Sequence, residues 1–345
     1  MPTIEEVTAV LAQVCDRSQI ENIVVKDNGI VSFTLLLVDG VKNPRRDELI
    51  NRCKSAVKNL AGVKDAWVKI GELPEPPPSQ LIKHIVAVSS GKGGVGKTSV
   101  AVNLAVALAD TGAQVGLLDA DIYGPNVPQM LGMSAAKLQV FRDEQGRDVI
   151  EPVFNYGVKM VSMAFLIEKD QPVIWRGPML NGVITQFFQQ VNWGELDYLI
   201  VDLPPGTGDA QITLVQAAPL AGVIIVTTPQ TVALLDSRKG LKMFQNLGIR
   251  VLGIVENMSY FIPPDLPDRA YDIFGSGGGQ KTAQELGVPL LGCIPLEISL
   301  REGGDRGVPI VLSQPESASA KAIRAVMHQI QTLLNTQEEA AAENC

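Results

Sequence analysis

Between Ser89 and Ser99 the chain reads SSGKGGVGKTS. Gly91, Gly93, Gly94 and Gly96 surround Val95 and two lysines, Lys92 and Lys97, and Thr98 follows. This satisfies the G-x-x-x-x-G-K-[ST] spacing between a strand-like and a helix-like segment. Glycines let successive backbone N–H groups turn inward as an anion nest, and the N-terminus of the next helix adds its positive dipole. The spacing predicts a phosphate cradle from Gly91 to Thr98, with Lys97 on the β- and γ-phosphates of ATP and the Thr98 hydroxyl on Mg2+. The alternative is a glycine-rich turn that ends in a helix cap. Lys92 is the additional cation. At the start of a loop that wraps phosphates, it points away from its own site, so its charge can act on a nucleotide held by a facing subunit. The plainer alternative is an exposed lysine that tunes local charge.

Phosphoryl transfer also needs carboxylates. LLDADIYGPN places Asp119 and Asp121 where a strand breaks into a loop. A carboxylate there can face the γ-phosphate, orient the attacking water and stand near Mg2+ through a water. Asp121 is expected in that role and Asp119 as its support in the nucleotide site, with an Asx-turn as the alternative for one of them. LIVDLPPGTGD puts Asp202 directly after an apolar run, where a carboxylate holds Mg2+ through water, against the alternative of a helix cap. Thr98, Asp121 and Asp202 thus form the expected metal set. PPGTGD supplies a rigid turn and a glycine N–H able to sense the γ-phosphate, as a switch loop does. VENMSY ends a further run, and Asn257 can offer a donor and an acceptor to an adenine edge. Pro295 and Glu297 of IPLEISLREGGD are expected on the other wall of that base pocket. An asparagine after a strand is otherwise a turn former.

These residues need a scaffold that brings strand ends together. HIVAVSS, AQVGLLD, DYLIVDL, AGVIIVTTP, RVLGIVEN and PLLGCIP are short apolar runs, most of them separated by helical stretches. The alternation predicts an α/β fold with a mostly parallel sheet and helices on both faces, with functional groups at the carboxyl ends of the strands. Before it lies a unit of different pattern. Ile4 to Cys15 has helical spacing, Asp27-Asn28-Gly29 joins two strands as a hairpin, Asn43-Pro44 opens a helix to about Leu60, and GVKDAWVKI closes with a strand. This small domain is α-β-β-α-β. GELPEPPPSQ separates the two parts, because consecutive prolines favour an extended, stiff segment. The expected boundaries are 1–72 for the small domain, 73–80 for the linker and 81–335 for the larger domain. From about Pro315 an amphipathic helix leads into a flexible polar tail over 336–345.

The chain has 345 residues, a net charge of −8 and 46% hydrophobic residues, so aliphatic packing can build a sizeable core. The acidic balance argues against a nucleic-acid partner, which needs a basic footprint. No apolar run approaches a membrane span and the acidic N-terminus is unlike a signal peptide, so the expectation is a cytoplasmic protein with no membrane partner. Cys15, Cys53, Cys293 and Cys345 form no CxxC pair and no zinc-site spacing. They read as thiols rather than disulfides.

Together these motifs resemble one family, the Mrp/ApbC iron–sulfur carrier ATPases, over nearly the whole chain. KGGVGK resembles the deviant Walker A loop of the MinD/ParA/nitrogenase-iron-protein class. GLLDADIYGPNVPQMLG, WRGPML at Trp175 to Leu180, DYLIVDLPPGTGD, IVENMSYF, FGSGGG and REGGDRGVP carry the closer likeness. The first seventy or so residues resemble the small domain of iron–sulfur assembly factors. The resemblance implies a P-loop NTPase that hydrolyses ATP with Mg2+, forms a homodimer in which Lys92 reaches the partner's phosphates, and carries a 4Fe–4S cluster to apo iron–sulfur proteins with assembly factors as partners. It also implies a cysteine pair soon after NMSYF as cluster ligands. Here no cysteine lies between Phe261 and Gly279. Two alternatives follow: a MinD/ParA-like positioning ATPase, or an assembly adaptor that holds no cluster by that pair.

Overall fold

The computed structural model describes residues 2–15, 17–26, 28–37, 45–72, 81–122, 124–143, 146–166, 177–266 and 269–343. Internal contacts divide the chain into two units, Met1–Pro76 and Pro77–Cys345.

In the first unit Thr3 starts helix α1 (Ile4–Leu11) with a reciprocal cap: Glu6 N donates to Thr3 Oγ1 at 3.2 Å and Thr3 N to Glu6 Oε2 at 2.8 Å. Strands β1 (Ile20–Val25) and β2 (Ile30–Leu37) pair antiparallel. Helix α2 (Arg46–Lys58) then leads to β3 (Asp65–Glu72), which pairs parallel with β2. The α-β-β-α-β order is the one that the sequence pattern implies. Arg45 is the N-cap of α2; the cap expected at Asn43-Pro44 lies outside the described residues, as does the proline-rich stretch 73–80. Val7, Leu11, Phe33, Leu35, Cys53 and Val57 form the core.

The second unit begins with β4 (Ile82–Ser90), α3 (Lys97–Asp110), β5 (Val115–Asp119) and the short α4 (Val127–Met130). A hairpin of β6 (Gln139–Arg142) and β7 (Asp148–Glu151) precedes β8 (Val153–Asn155) and β9 (Val158–Ser162). Then come α5 (Gly177–Gln189), β10 (Leu196–Asp202), α6 (Asp209–Gln216), β11 (Gly222–Thr227), α7 (Thr231–Asn246) and β12 (Val251–Phe261). Helix α8 (Gly278–Leu286), β13 (Leu290–Leu296), α9 (Ile298–Arg306), α10 (Ile310–Ser313) and α11 (Ala318–Glu343) complete it.

The eight-stranded sheet has the order β13-β12-β11-β4-β10-β5-β9-β8. Every neighbouring pair is parallel except β8 with β9. The six apolar runs are its six central and distal strands, and both faces are buried. Val86, Val88, Ile200, Ile224 and Val226 face a cluster with α3 and α11. Their neighbours Ile85, Ala87, Leu199, Val201, Val223 and Ile225 face α5, α6 and α7. Alternation on a strand sends successive side chains to opposite faces, so a continuous aliphatic run is what a sheet covered on both sides requires. Each such side chain, fully buried, contributes about 1.5–3 kcal/mol.

Helix α3 is buried at every position from Val100 to Leu108. Helix α11 presents Ala320, Ile323, Val326, Met327, Ile330 and Leu334 to the core, a stripe at helical spacing. It continues to Glu343, so a helix stands where a flexible tail from 336 was expected; QEEAAAE at 337–343 consists of strong helix formers.

The register levels the strand ends. Asp202 of β10 is opposite Val88 of β4 and Asp119 of β5, and Asp119 is opposite Ser162 of β9. The loops at 91–96, 120–126 and 203–208 therefore leave the sheet at one edge.

Candidate functional site

The phosphate loop runs from Gly91 to Gly96, and α3 begins at Lys97. Gly91 is fixed by a close approach: a Cβ there would stand 2.2 Å from the Asp236 carbonyl carbon and 2.4 Å from Ser237 N, on α7. Gly96 has φ +79°, a conformation that L side chains rarely adopt, and a Cβ on it would meet Asn257 Nδ2 at 2.2 Å. That same Nδ2 donates to the Val95 carbonyl at 2.8 Å. The loop is braced from below as well: Ser90 Oγ donates to Lys92 O at 3.0 Å, and Gly206 N of the PPGTGD turn donates to Ser90 O at 2.9 Å. Buried Gln211 on α6 ties the two together, its Nε2 donating to Ser89 Oγ at 3.1 Å and to Pro204 O at 2.5 Å.

Lys97 is buried, with Nζ 2.7 Å from Asp202 Oδ1 and 3.7 Å from Asp121 Oδ2. Thr98 Oγ1 donates to Asp202 Oδ2 at 2.7 Å. Burial pushes the Asp202 carboxyl above the usual carboxylate range, while Lys97 and Thr98 pull it down. Asp119 is fully buried beside it. Burial pushes it up to about 8, with the Asp202 charge acting in the same sense. Its oxygens accept from Ser162 Oγ at 2.8 Å, Val127 N at 3.2 Å and Asp121 N at 3.3 Å. Asp119 thus fixes the turn that carries Asp121 and the start of α4, and it lies behind the cavity rather than on its wall. Asp121 lines the cavity, its Oδ1 accepting from Gly124 N at 3.2 Å.

The cavity in front of these groups has a volume of about 780 Å³. Lys92, Gly93, Gly94, Val95, Gly96, Lys97 and Thr98 line one end, with Asp121 beside them. Asn257 and Met258, which stand against Gly96, and Pro295, Leu296, Glu297, Leu300 and Arg301 of β13 and the start of α9 line the rest. Gly91 and Asp202 are behind the surface. Lys92 is half-buried at the rim, its Nζ 3.5 Å from Gln230 Oε1 at the start of α7.

Asn257, Pro295 and Glu297, expected around a base, all line the cavity, and two of them also make structural contacts. Asn257 commits one amide hydrogen to Val95, so the residue is first a brace for the loop; its buried Oδ1 has no partner among the described residues. The Glu297 carboxylate reaches the cavity but accepts from Ser299 Oγ at 3.0 Å and Ser319 N at 2.9 Å, the latter at the start of α11. It organises the wall rather than offering a bare carboxylate to a base. Sequence reasoning missed Arg301, for which REGGDRGVP was the available signal, and Gln211, which had none. It also missed Met258, held at φ 53° where β12 slips register against β13. Such strained positions collect at functional sites. Glu256, one residue before Asn257, is buried and accepts from Ser259 Oγ and Gly279 N, both at 2.5 Å. This ties β12 to the first turn of α8.

Among the described residues the second unit contains one thiol. Cys293 on β13 is half-buried 3.9 Å from Glu256 Oε1, and burial raises its pKa. Among the described residues no three His, Cys, Asp or Glu side chains form a metal-binding group. Trp175 and Arg176 of WRGPML, and Cys345, lie outside the described residues. No described helix is long and apolar enough to cross a membrane.

Residues 81–331 match the ParA family described as NUBPL iron-transfer P-loop NTPase. An iron–sulfur cluster carrier protein of Synechocystis is 63% identical over 345 residues, covering 96% of this chain and 97% of its own. The mouse iron–sulfur cluster transfer protein NUBPL is 43% identical over 77% of this chain and 82% of its own. Among solved structures, a nucleotide-binding protein of Archaeoglobus fulgidus in complex with ADP superposes with a TM-score of 0.60 and 37% identity, over 70% of this chain and 92% of that one. With the loop, the levelled carboxylates and the cavity in one place, these likenesses make the chain a member of the Mrp/ApbC/NUBPL family of iron–sulfur cluster carrier proteins, built on a ParA/MinD-type P-loop NTPase.

Proposed function

We propose that this chain binds ATP with Mg2+, hydrolyses it as a homodimer and couples that cycle to the transfer of an iron–sulfur cluster to apo-proteins. The observation that carries the reading is the buried contact of Lys97 and Thr98 with Asp202 at the floor of a cavity also lined by Asn257, whose buried Oδ1 has no partner among the described residues. The residues fit the nucleotide. Positions 93 and 94 are open, since a Cβ at either would meet nothing within 4 Å, leaving space for a phosphate against their amides. Adenine's amino group is a donor and matches Asn257 Oδ1.

They also fit Mg2+. Thr98, Asp121 and Asp202 supply only oxygen ligands, and a hard cation at such a site takes the rest from phosphate and water. When bound, Mg2+ neutralises charge on the phosphates. The chain's own groups do the remainder. Lys97, held between two carboxylates, is placed to meet the β- and γ-phosphates. Asp121, on the cavity wall and steadied by Asp119, is placed to orient the attacking water. The weak Lys92–Gln230 contact is easily exchanged, which leaves Lys92 available to a nucleotide across a dimer. Phosphate release that depends on Mg2+ and rises more steeply than linearly with protein concentration supports this. Release strictly proportional to protein concentration removes the homodimer.

The cysteine-free stretch from Phe261 to Gly279 favours a second reading, an assembly ATPase that holds no cluster by the usual pair. Anaerobic reconstitution with iron and sulfide separates the two. Stoichiometric iron and sulfide on the dimer supports the carrier, and no uptake with intact turnover supports the adaptor.

A further inference from the structure

The first unit contains a pair of thiols that the nucleotide site does not use. Cys15 lies in the turn that follows α1, its amide donating to Leu11 O at 3.1 Å. Cys53 is in the middle of α2 and fully buried, in the core with Val7, Leu11 and Val57. The two sulfurs are 3.9 Å apart. A disulfide needs about 2.05 Å, so the two sulfurs stand in contact, one further approach short of a bond. Cys15 is the partner able to make it, because it is half-exposed and outside the regular helix.

We propose that Cys15 and Cys53 form a reversible dithiol–disulfide couple, oxidised by a small-molecule disulfide such as glutathione disulfide. Exposure assigns the order of events. The Cys15 thiolate attacks one sulfur of the small disulfide, whose S–S bond breaks and releases one small thiol after protonation. The Cys53 sulfur then attacks the Cys15 sulfur of the mixed disulfide, and its proton passes to the departing sulfur, which leaves as the second small thiol. Two protein thiols lose two electrons and two protons, and one small disulfide becomes two small thiols. Burial pushes the Cys53 thiol up to about 12, so the half-exposed Cys15 is the thiol that meets the small disulfide first.

Two sulfurs at this distance could also share one soft metal ion. Cys53 has no exposed surface, and no His, Cys, Asp or Glu among the described residues completes a set of three with them. The bond between the sulfurs is therefore favoured over a metal. Once closed, it ties the end of α1 to α2 within the unit Met1–Pro76.

The test is incubation of the full-length chain with glutathione disulfide, alkylation of remaining thiols, digestion and mass spectrometry. The expected product is an intramolecular cross-link between the Cys15 and Cys53 peptides, two hydrogens lighter than the sum, reversed by dithiothreitol. In Cys53→Ala the reaction stops at a stable glutathione adduct on Cys15, and in Cys15→Ser folded protein leaves Cys53 unmodified. A wild-type chain that accumulates the Cys15 adduct, cross-links either residue to Cys293, Cys345 or a second chain, or leaves both thiols unreacted overturns the proposal. The wild-type result is decisive whether or not Cys53→Ala folds.

Discussion

Asp119 and Asp202 are register partners on adjacent parallel strands, and both are fully buried. Two carboxyls so placed cannot both ionise cheaply, and the Lys97 ammonium 2.7 Å from Asp202 compensates one of them. The folded chain therefore holds a proton that the unfolded chain releases at an ordinary carboxylate pKa of about 4. Their contribution to stability is fully present below that value and is lost as pH rises toward the raised value of Asp119, about 8. Nucleotide-free protein should show a melting temperature that falls between about pH 5 and pH 8, and Asp119→Asn should flatten that slope. Thermal unfolding in a pH series measures both.

Lys92→Ala should leave ATP affinity within about twofold, since Lys92 stands at the rim and outside the floor contacts, and should lower turnover by about 10³-fold, the scale of a cation supplied in trans. Nucleotide titration set against phosphate release at several protein concentrations separates the two effects. Wild-type turnover at every concentration would remove trans action.

Asn257→Ala removes the buried acceptor proposed for adenine and the brace on Val95. One lost hydrogen bond of about 1–1.5 kcal/mol predicts roughly a tenfold rise in KM for ATP. GTP should gain relative to ATP, because guanine presents an acceptor where adenine presents its amino group. Competition between the two nucleotides reads this directly.

Gly91→Ala places a methyl group 2.2 Å from the backbone of α7. Something must shift, and backbone cannot shift cheaply. Overpacking of this kind costs about 1–3 kcal/mol. The expected outcome is a lowered melting temperature together with loss of ATP binding, measured on the same preparation.

The phosphate loop could be read from sequence because a cradle of main-chain amides demands glycine at fixed spacing, a purely local requirement. The central strands could be read because a sheet buried on both faces needs unbroken aliphatic runs such as that from Ile85 to Val88. The short strands Val153–Asn155 and Gln139–Arg142 could not, since a few residues carry no period. Nor could the Asn257 brace on Val95, the Glu297 contact with Ser319, or the pairing of Cys15 with Cys53. Each joins residues far apart in sequence, and only the assembled fold brings them together.

Glu256 and Asn257 are consecutive on β12, yet they grip different loops: Glu256 holds the amide of Gly279, and Asn257 holds the carbonyl of Val95. A single peptide unit is thus the common anchor of the phosphate loop and of the first turn of α8. The two grips set the Val95 carbonyl and the Gly279 amide on one short stretch of β12, so neither can be re-aimed by a substitution there without consequence for the other.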